Sequence, residues 1–405
     1  MKALRFNINV PRFLILKALG AFNKKIYYQG KLAAIKLDDI PEPKLPGPDW
    51  VKIKTYLCGF CASDLNLIFL KDSPTASPFG SFPCVLGHEL SGEIIETGRG
   101  IKNFATGDRI TVAPHLSCAT RGIDPVCRAC ASGRVGNCEN VAEGNLSPGM
   151  FSGICKDING GFAPYMVAHE SQLFALPPEI SNEEGAMIEP LSVALQTVLD
   201  NTPKPGEHAL VIGCGVIGSL VVQSLRAVEP KCRITVSEPS KFHAQLAKNS
   251  GADEIITNGD LFGNAVRITG AKRYKPLLGK DILMGGFNRI YDCVGNTETL
   301  TLAMRCLAVE GVLSIVGIGH DVKLDLTPLW LKLQTLRGVL EYGFADFEGK
   351  RQHVFEAAIG LVANGRVKLK GLMTHKFTID QYAELIETNM AKQKHQIIKS
   401  AVSFQ

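Results

Sequence analysis

No apolar stretch in this chain approaches the ~20 consecutive residues that a membrane-spanning helix needs. Nor does one sign of charge dominate. Lys and Arg number 44 against 39 Asp and Glu, and a net charge of +5 on 405 residues is too small to argue for a nucleic-acid partner. Internal repeats and low-complexity tracts do not stand out, so nothing points to a solenoid. No secretion signal is legible either. The apolar run Phe13 to Leu16 is broken by Lys17 and makes a poor signal-peptide core. The first 37 residues carry eight Lys or Arg and no acid before Asp38. They read as a basic surface segment, with organelle targeting as the alternative.

What the chain does have is cysteine, 12 in all, and not in the spacing of a disulfide framework. Cys118, Cys127, Cys130 and Cys138 fall within 21 residues, and Cys58 and Cys61 sit close together. In a large chain without a secretion signal, such clusters point to metal binding or catalysis in a reducing compartment. The expected location is therefore cytoplasmic. With 45% hydrophobic and 20% charged residues, the composition is that of an ordinary soluble protein of two or three domains.

The first ~190 residues are rich in Gly, Pro and short β-branched runs. "WVKIKTYL", "SGEIIETG" and "GDRITVAP" predict strands bounded by turns. After Pro190 the pattern changes. "HALVIG" predicts a strand, "CGVIGSLVVQSLRAV" a helix, "RITVSE" a strand and "SKFHAQLAKNSG" a helix ending at Gly251. "DEIIT", "RIYDCVG", "GVLSIVG" and "TLRGVLEYG" continue as strands. Such alternation implies a parallel sheet with helices on both faces, an α/β fold. A helix over "GKRQHVFEAAIGLVANG" leads into a short mixed tail.

Gly213, Gly215 and Gly218 form G-C-G-V-I-G, with Val216 and Ile217 between the second and third glycines. The motif follows a strand and opens a helix, and Glu238 stands 20 residues after Gly218 at the end of the next strand. That context predicts a dinucleotide site, not chance glycines in an αβ turn. The first glycine permits the turn, the second lets a pyrophosphate approach, and the third lets helix pack on strand. The helix N-terminus offers amide donors to the phosphates. Glu238 should bond the ribose hydroxyls and repel a 2′-phosphate, which favours NAD, and nearby Lys241 softens that preference.

"CGFCASDLN" (58–66) and "GHE" (87–89) supply thiolate, imidazole and carboxylate at Cys61, His88 and Glu89, all usable zinc ligands. Asp64 is placed to fix the tautomer of His88, and Ser63 to pass a substrate proton outward. Taken singly, these residues read as a buried thiol and two turn residues. Together they resemble the zinc-dependent medium-chain dehydrogenase/reductase family, the alcohol and polyol dehydrogenases. Gly87-His88-Glu89, then Gly92, Gly98 and Ile101, matches that family's zinc signature, and "GDRITV" and "GGFAPYMVAHE" resemble other family segments. The resemblance runs across almost the whole chain.

The resemblance implies a GroES-like, irregular β-rich catalytic domain (1–192), a Rossmann coenzyme domain (193–345) and a C-terminal segment (346–405) returning to the catalytic domain. It selects Cys61 over Cys58 as the ligand, since the family's cysteine precedes a small residue and then Ser/Thr-Asp. It adds Glu189, in "EPLSVA", as a fourth partner that binds zinc directly or through water. Pro190 beside it also suits the first turn of a helix. The resemblance also implies a second, structural zinc held by Cys118, Cys127, Cys130 and Cys138. Cys127, Cys130 and Cys138 keep the family spacing, whereas Cys118 is displaced by about six residues. After oxidation, disulfides are the competing reading of these four. Asn66 stands where many members have a His that ends the proton relay.

Two segments look extra: "LKDSPTASPFGSF" between Cys61 and His88, and residues ~10–35. Each is expected to narrow or cover the substrate cleft or to form an oligomer contact. The expected activity is hydride transfer between NAD and a secondary alcohol of polyol or amino-alcohol type, with zinc as Lewis acid. Threonine-type 3-hydroxy amino acids are the second reading within that chemistry. A non-catalytic relative and a zinc-independent reductase of quinones or enones are the readings from other classes. A homodimer or homotetramer is expected, with the strand near "GVLSIVGIG" as a candidate interface edge; no nucleic-acid or membrane partner is expected.

Overall fold

The structure is a computed structural model that describes residues 1–317, 321–340 and 342–405. Its N-terminal half is built around the strand Trp50–Phe60. There Val51, Ile53 and Thr55 point into the core while Lys52 and Lys54 face outward, the period-2 alternation of a half-buried strand. From Leu57 onward every residue of the strand is buried, because a second layer now covers its other face. The strand pairs antiparallel with Glu89–Thr97, Tyr165–His169 and Lys399–Ser403. The last pairing brings the C-terminal strand to the middle of the N-terminal sheet. A smaller sheet joins Lys2–Phe6 to Ile35–Asp39 and Cys84–Val85.

The second half holds six parallel strands. In spatial order they are Glu254–Ile256, Arg233–Ser237, His208–Ile212, Phe287–Asp292, Leu307–Ile315 and Thr335–Gly338. Counted along the chain this is 3-2-1-4-5-6, the doubly wound dinucleotide-binding order. The inner strands are near-continuous runs such as Ala209, Leu210 and Val211, fully buried on both faces. A side chain such as Leu210 or Val211 contributes roughly 1.5–3 kcal/mol by leaving water. The helices Ile188–Asp200 and Val216–Val228 pack together in the core that joins this sheet to the first.

Two expectations need correction. The strand within "GVLSIVGIG" is not an edge: Leu307–Ile315 is hydrogen-bonded on both sides, and Thr335–Gly338 is outermost. The remainder of that motif from Ile318 lies outside the described residues. The helix expected from Gly349 begins at Val354. The residues before it, Lys350–His353, form a hairpin strand with Phe344–Phe347, and the His353 ring caps the helix by accepting from the Phe355 N–H.

The basic N-terminal segment is a helix, Val10–Gly20, followed by a single 3₁₀ turn, Lys24–Tyr27. Asn9 caps it by accepting from the Arg12 N–H, and Pro11 sits in its first turn, where no N–H is needed. Leu16 and Gly20 face inward. A Cβ on Gly20 would lie 2.3 Å from the Tyr27 ring, so the glycine sets how closely the turn folds back. Among the described residues no helix is long and apolar enough to cross a membrane.

Candidate active site

Strand Trp50–Phe60 delivers Cys61 to the N-terminus of the helix Ala62–Ile68. Asp64, in the first turn, accepts from the Cys61 N–H at 2.9 Å and fixes the local backbone. Its other carboxylate oxygen lies 3.8 Å from His88 Nδ1, an ion-pair distance and too long for a hydrogen bond. His88 and Glu89 follow a turn at Gly87, whose φ of +95° is open to glycine. A Cβ there would also lie 2.8 Å from Cys58 Sγ and 2.9 Å from Phe162. Cys61, His88 and Glu89 thus bring one donor atom each to within 4.8 Å of one another. Cys58 is buried beside this set, its thiol pushed up by burial and then by Asp64.

Glu189 enters from the first turn of the helix Ile188–Asp200 and is buried on the same cavity wall. The Tyr342 hydroxyl donates to its Oε1 at 3.0 Å. Lys399, also buried, pairs with the Glu89 carboxylate. Gly59 lies across the ladder from Glu89, and a Cβ on it would come within 2.2 Å of Glu89 Oε2. The glycine is what lets that carboxylate lie against the strand.

Acidic and basic groups are buried together here: Asp64, Glu89 and Glu189 face His88, Lys399 and Lys392. Burial by itself pulls the His88 pKa down, yet it stands well above the ordinary value because Cys61, Asp64 and Glu189 together outweigh burial. Glu189 is pushed up to about 7, first by burial and then by the repulsion of Glu89. Lys399 stays charged against burial because Glu89 and Cys61 face it. Sulfur, imidazole and carboxylate donors within 4.8 Å of one another form a set that zinc takes. The residues therefore fit zinc.

These donors stand in a cleft of about 550 Å³ whose other walls include Ile217, Cys293–Thr297 and Val316. Those residues follow the carboxyl ends of the parallel strands, on the two sides of the switch point where the sheet order reverses. Ser63 and Asn66 line the same cleft.

At the nucleotide loop, Gly213 has a φ of +81°, and nothing lies within 4 Å of a Cβ built on Gly215, so that side is open to a ligand. A Cβ on Gly218 would lie 2.0 Å from the Gly213 carbonyl oxygen, which fixes the helix against the turn. Val216 and Ile217 begin the helix. Glu238 accepts from the Cys214 N–H and the Ser240 N–H, both at 2.8 Å, so its carboxylate also ties the first turn to the second. Lys241 is exposed at the start of the next helix.

The four clustered cysteines meet despite the long first gap. Cys118 Sγ lies 3.6 Å and Cys127 Sγ 3.9 Å from Cys138 Sγ. All four sulfurs lie within 4.8 Å of one another, and none is bonded to another. A disulfide needs ~2.05 Å. A tetrahedron with Zn–S of ~2.3 Å has edges of ~3.8 Å, which the observed separations bracket. The extra loop is pinned by Arg121, fully buried, which donates to the carbonyls of Leu116, Glu143, Leu146, Ser147 and Gly149.

The comparisons with known proteins agree with this geometry. Residues 47–178 match the alcohol dehydrogenase GroES-like domain, and residues 216–364 match the zinc-binding dehydrogenase family. The (R,R)-butanediol dehydrogenase of Bacillus subtilis is 30% identical over 374 residues, 90% of this chain and 95% of that protein. The chain belongs to the zinc-dependent medium-chain dehydrogenases. A sorbitol dehydrogenase of Arabidopsis thaliana is 29% identical over 83% of each chain. The crystal structure of 2R,3R-butanediol dehydrogenase from B. subtilis superposes with a TM-score of 0.73 at 26% identity, covering 100% of this chain and 99% of that one. This dehydrogenase is a zinc-dependent oxidoreductase that interconverts a small-molecule secondary alcohol and its ketone with a nicotinamide cofactor.

Four residues around the two candidate metal sites carry roles the sequence alone does not assign: Gly59, Arg121, Tyr342 and Lys399. The one sequence signal among them is Lys399, a charge inside the strand-like run "IIKSAVSF".

Proposed function

We propose that Cys61, His88 and Glu89 hold the catalytic zinc, with Glu189 as the fourth partner, and that the dehydrogenase uses NAD. When bound there, zinc supplies Lewis-acid polarisation of the substrate oxygen. The chain's own residues do the rest. Cys293–Thr297 and Ile217 hold the nicotinamide side of the cleft against the donor side. Ser63 carries the hydroxyl proton toward solvent; Asn66, which cannot take up a proton, leaves the exit to solvent, the ribose hydroxyls or another His. Tyr342 holds the carboxylate of Glu189 in place through its hydrogen bond. The observation that carries this reading is one cleft with three zinc donors on one wall and the sheet's switch point on the other.

Glu238, directly after the second parallel strand and beside the glycine loop, supports NAD over NADP. The same reading includes a structural zinc on Cys118, Cys127, Cys130 and Cys138, the domain division 1–192, 193–345 and 346–405, a homodimer or homotetramer, and a reducing cytoplasmic compartment. Metal analysis with a screen of secondary alcohols against NAD⁺ and NADP⁺ tests the proposal. Two zinc ions per chain and a higher kcat/KM with NAD⁺ are expected. Full activity after complete zinc removal, or a preference for NADP⁺, defeats the corresponding part.

A further inference from the structure

The two segments that look extra in the sequence meet in space. Ile8 and Phe13, before and within the N-terminal helix, face Ala76 and Phe79 of the 3₁₀ segment Pro74–Phe79 across a second cavity of about 380 Å³. Leu67, Phe82 and Met150 complete a wall that is mainly apolar. Its polar side chains are few, chiefly Asp72, Ser73 and Ser77, and Asp64 and His88 where it meets the metal site. The cavity is an annex of the catalytic cleft: Ser63, His88, Phe151 and Leu340 line both. The Phe151 ring lies 5.2 Å from the His88 ring, so the wall the two chambers share includes one of the proposed zinc donors.

A cavity of this size with an apolar wall is a ligand chamber. The wall it shares with the cleft says which ligand: the part of the substrate that extends away from the reacting carbon. We propose that the annex receives an apolar substituent, so that the preferred substrates are secondary alcohols and ketones with a medium-length alkyl or aryl group on one side of the carbinol carbon. This rests on the dehydrogenase reading of the cleft. The carbinol C–H breaks with its electron pair passing to the nicotinamide, the O–H gives its proton to solvent, and the product is the ketone of the same chain.

The test uses the zinc-loaded full chain with NAD⁺ and the series 2-butanol to 2-octanol. Each methylene that enters the annex should raise kcat/KM roughly two- to fourfold. Ala76→Phe, which fills the annex from an exposed turn, should lower the 2-octanol to 2-butanol ratio of kcat/KM at least tenfold. Binding is read separately with 2-methyl-2-octanol, a tertiary alcohol with no carbinol hydrogen to transfer. In the presence of NAD⁺ it should raise Tm, while 2-methyl-2-butanol at equal concentration should not. Turnover with flat chain-length dependence and equal Tm shifts overturns the annex and leaves the dehydrogenase reading standing. Chain-length-dependent Tm shifts without turnover of any alcohol support the annex and overturn the reaction. Neither turnover nor a difference in Tm overturns both.

Discussion

Glu89 and Lys399 form a buried ion pair that no local sequence pattern announces. Removing one partner of such a pair leaves an uncompensated charge, at a cost of roughly 3–5 kcal/mol. Lys399→Met should therefore lower the stability of the chelator-treated protein by about that amount in urea unfolding, while Lys399→Arg retains most of it. Gly59 bears on the same carboxylate by steric means. Gly59→Ala puts a methyl group within 2.2 Å of Glu89 Oε2, so the donor must move. A displacement of this order costs about a hundredfold in rate. A fall in kcat/KM of that size, together with weaker zinc retention in dialysis against a chelator, is the expected result; unchanged values would show that Glu89 has room to spare.

The cysteine lobe shows at the level of a single loop what a sequence reveals and what it conceals. Cys127, Cys130 and Cys138 are legible because metal ligation needs short, regular spacings. Arg121 is not, since an arginine in "CATRGIDPVC" looks like a solvated loop residue. It is buried by carbonyls that residues 116–149 turn inward, and only the folded loop displays them. Buried carbonyls left without a donor cost ~1–3 kcal/mol each. Arg121→Ala should consequently open the lobe to limited proteolysis between residues 118 and 149 while the parallel sheet stays resistant. Cys118→Ser should lower the zinc content from two ions per chain to one by metal analysis. The helix at Val354 offers a contrast: the pattern that predicts it reads correctly, but the hairpin pairing of Lys350–His353 takes its first residues.

Across the whole molecule the strands of the two large sheets were legible, because hydrophobic periodicity is local, whereas the 3-2-1-4-5-6 order is a property of the fold, since right-handed crossovers allow other orders as well. The surroundings of the candidate metal donors were less legible: Glu189 was legible through the resemblance, whereas Gly59, Tyr342 and Lys399 are joined to the donors by topology alone. The same long-range packing stacks His115 on His353, ring centroids 5.7 Å apart. Burial lowers His115 to about 4, and burial with the neighbouring His115 lowers His353 to about 3. Both folded values lie below the unfolded ~6.5, so the unfolded chain takes up protons first as pH falls. Stability is fully present above pH 6.5 and is lost on the way down to about 4 for His115 and about 3 for His353, at about 1.4 kcal/mol per pH unit for each. Urea unfolding at pH 7 and pH 5 should show a loss on the order of 2 kcal/mol per histidine, which substituting both by Phe abolishes. The pairing of Lys399–Ser403 with Trp50–Phe60 also sets an order in time. During synthesis the four lobe thiols emerge together, whereas Lys399 follows Cys138 by about 260 residues, a delay of roughly ten to fifty seconds at ribosomal speeds. On the ribosome, the lobe can take up its metal long before Glu89 meets its lysine.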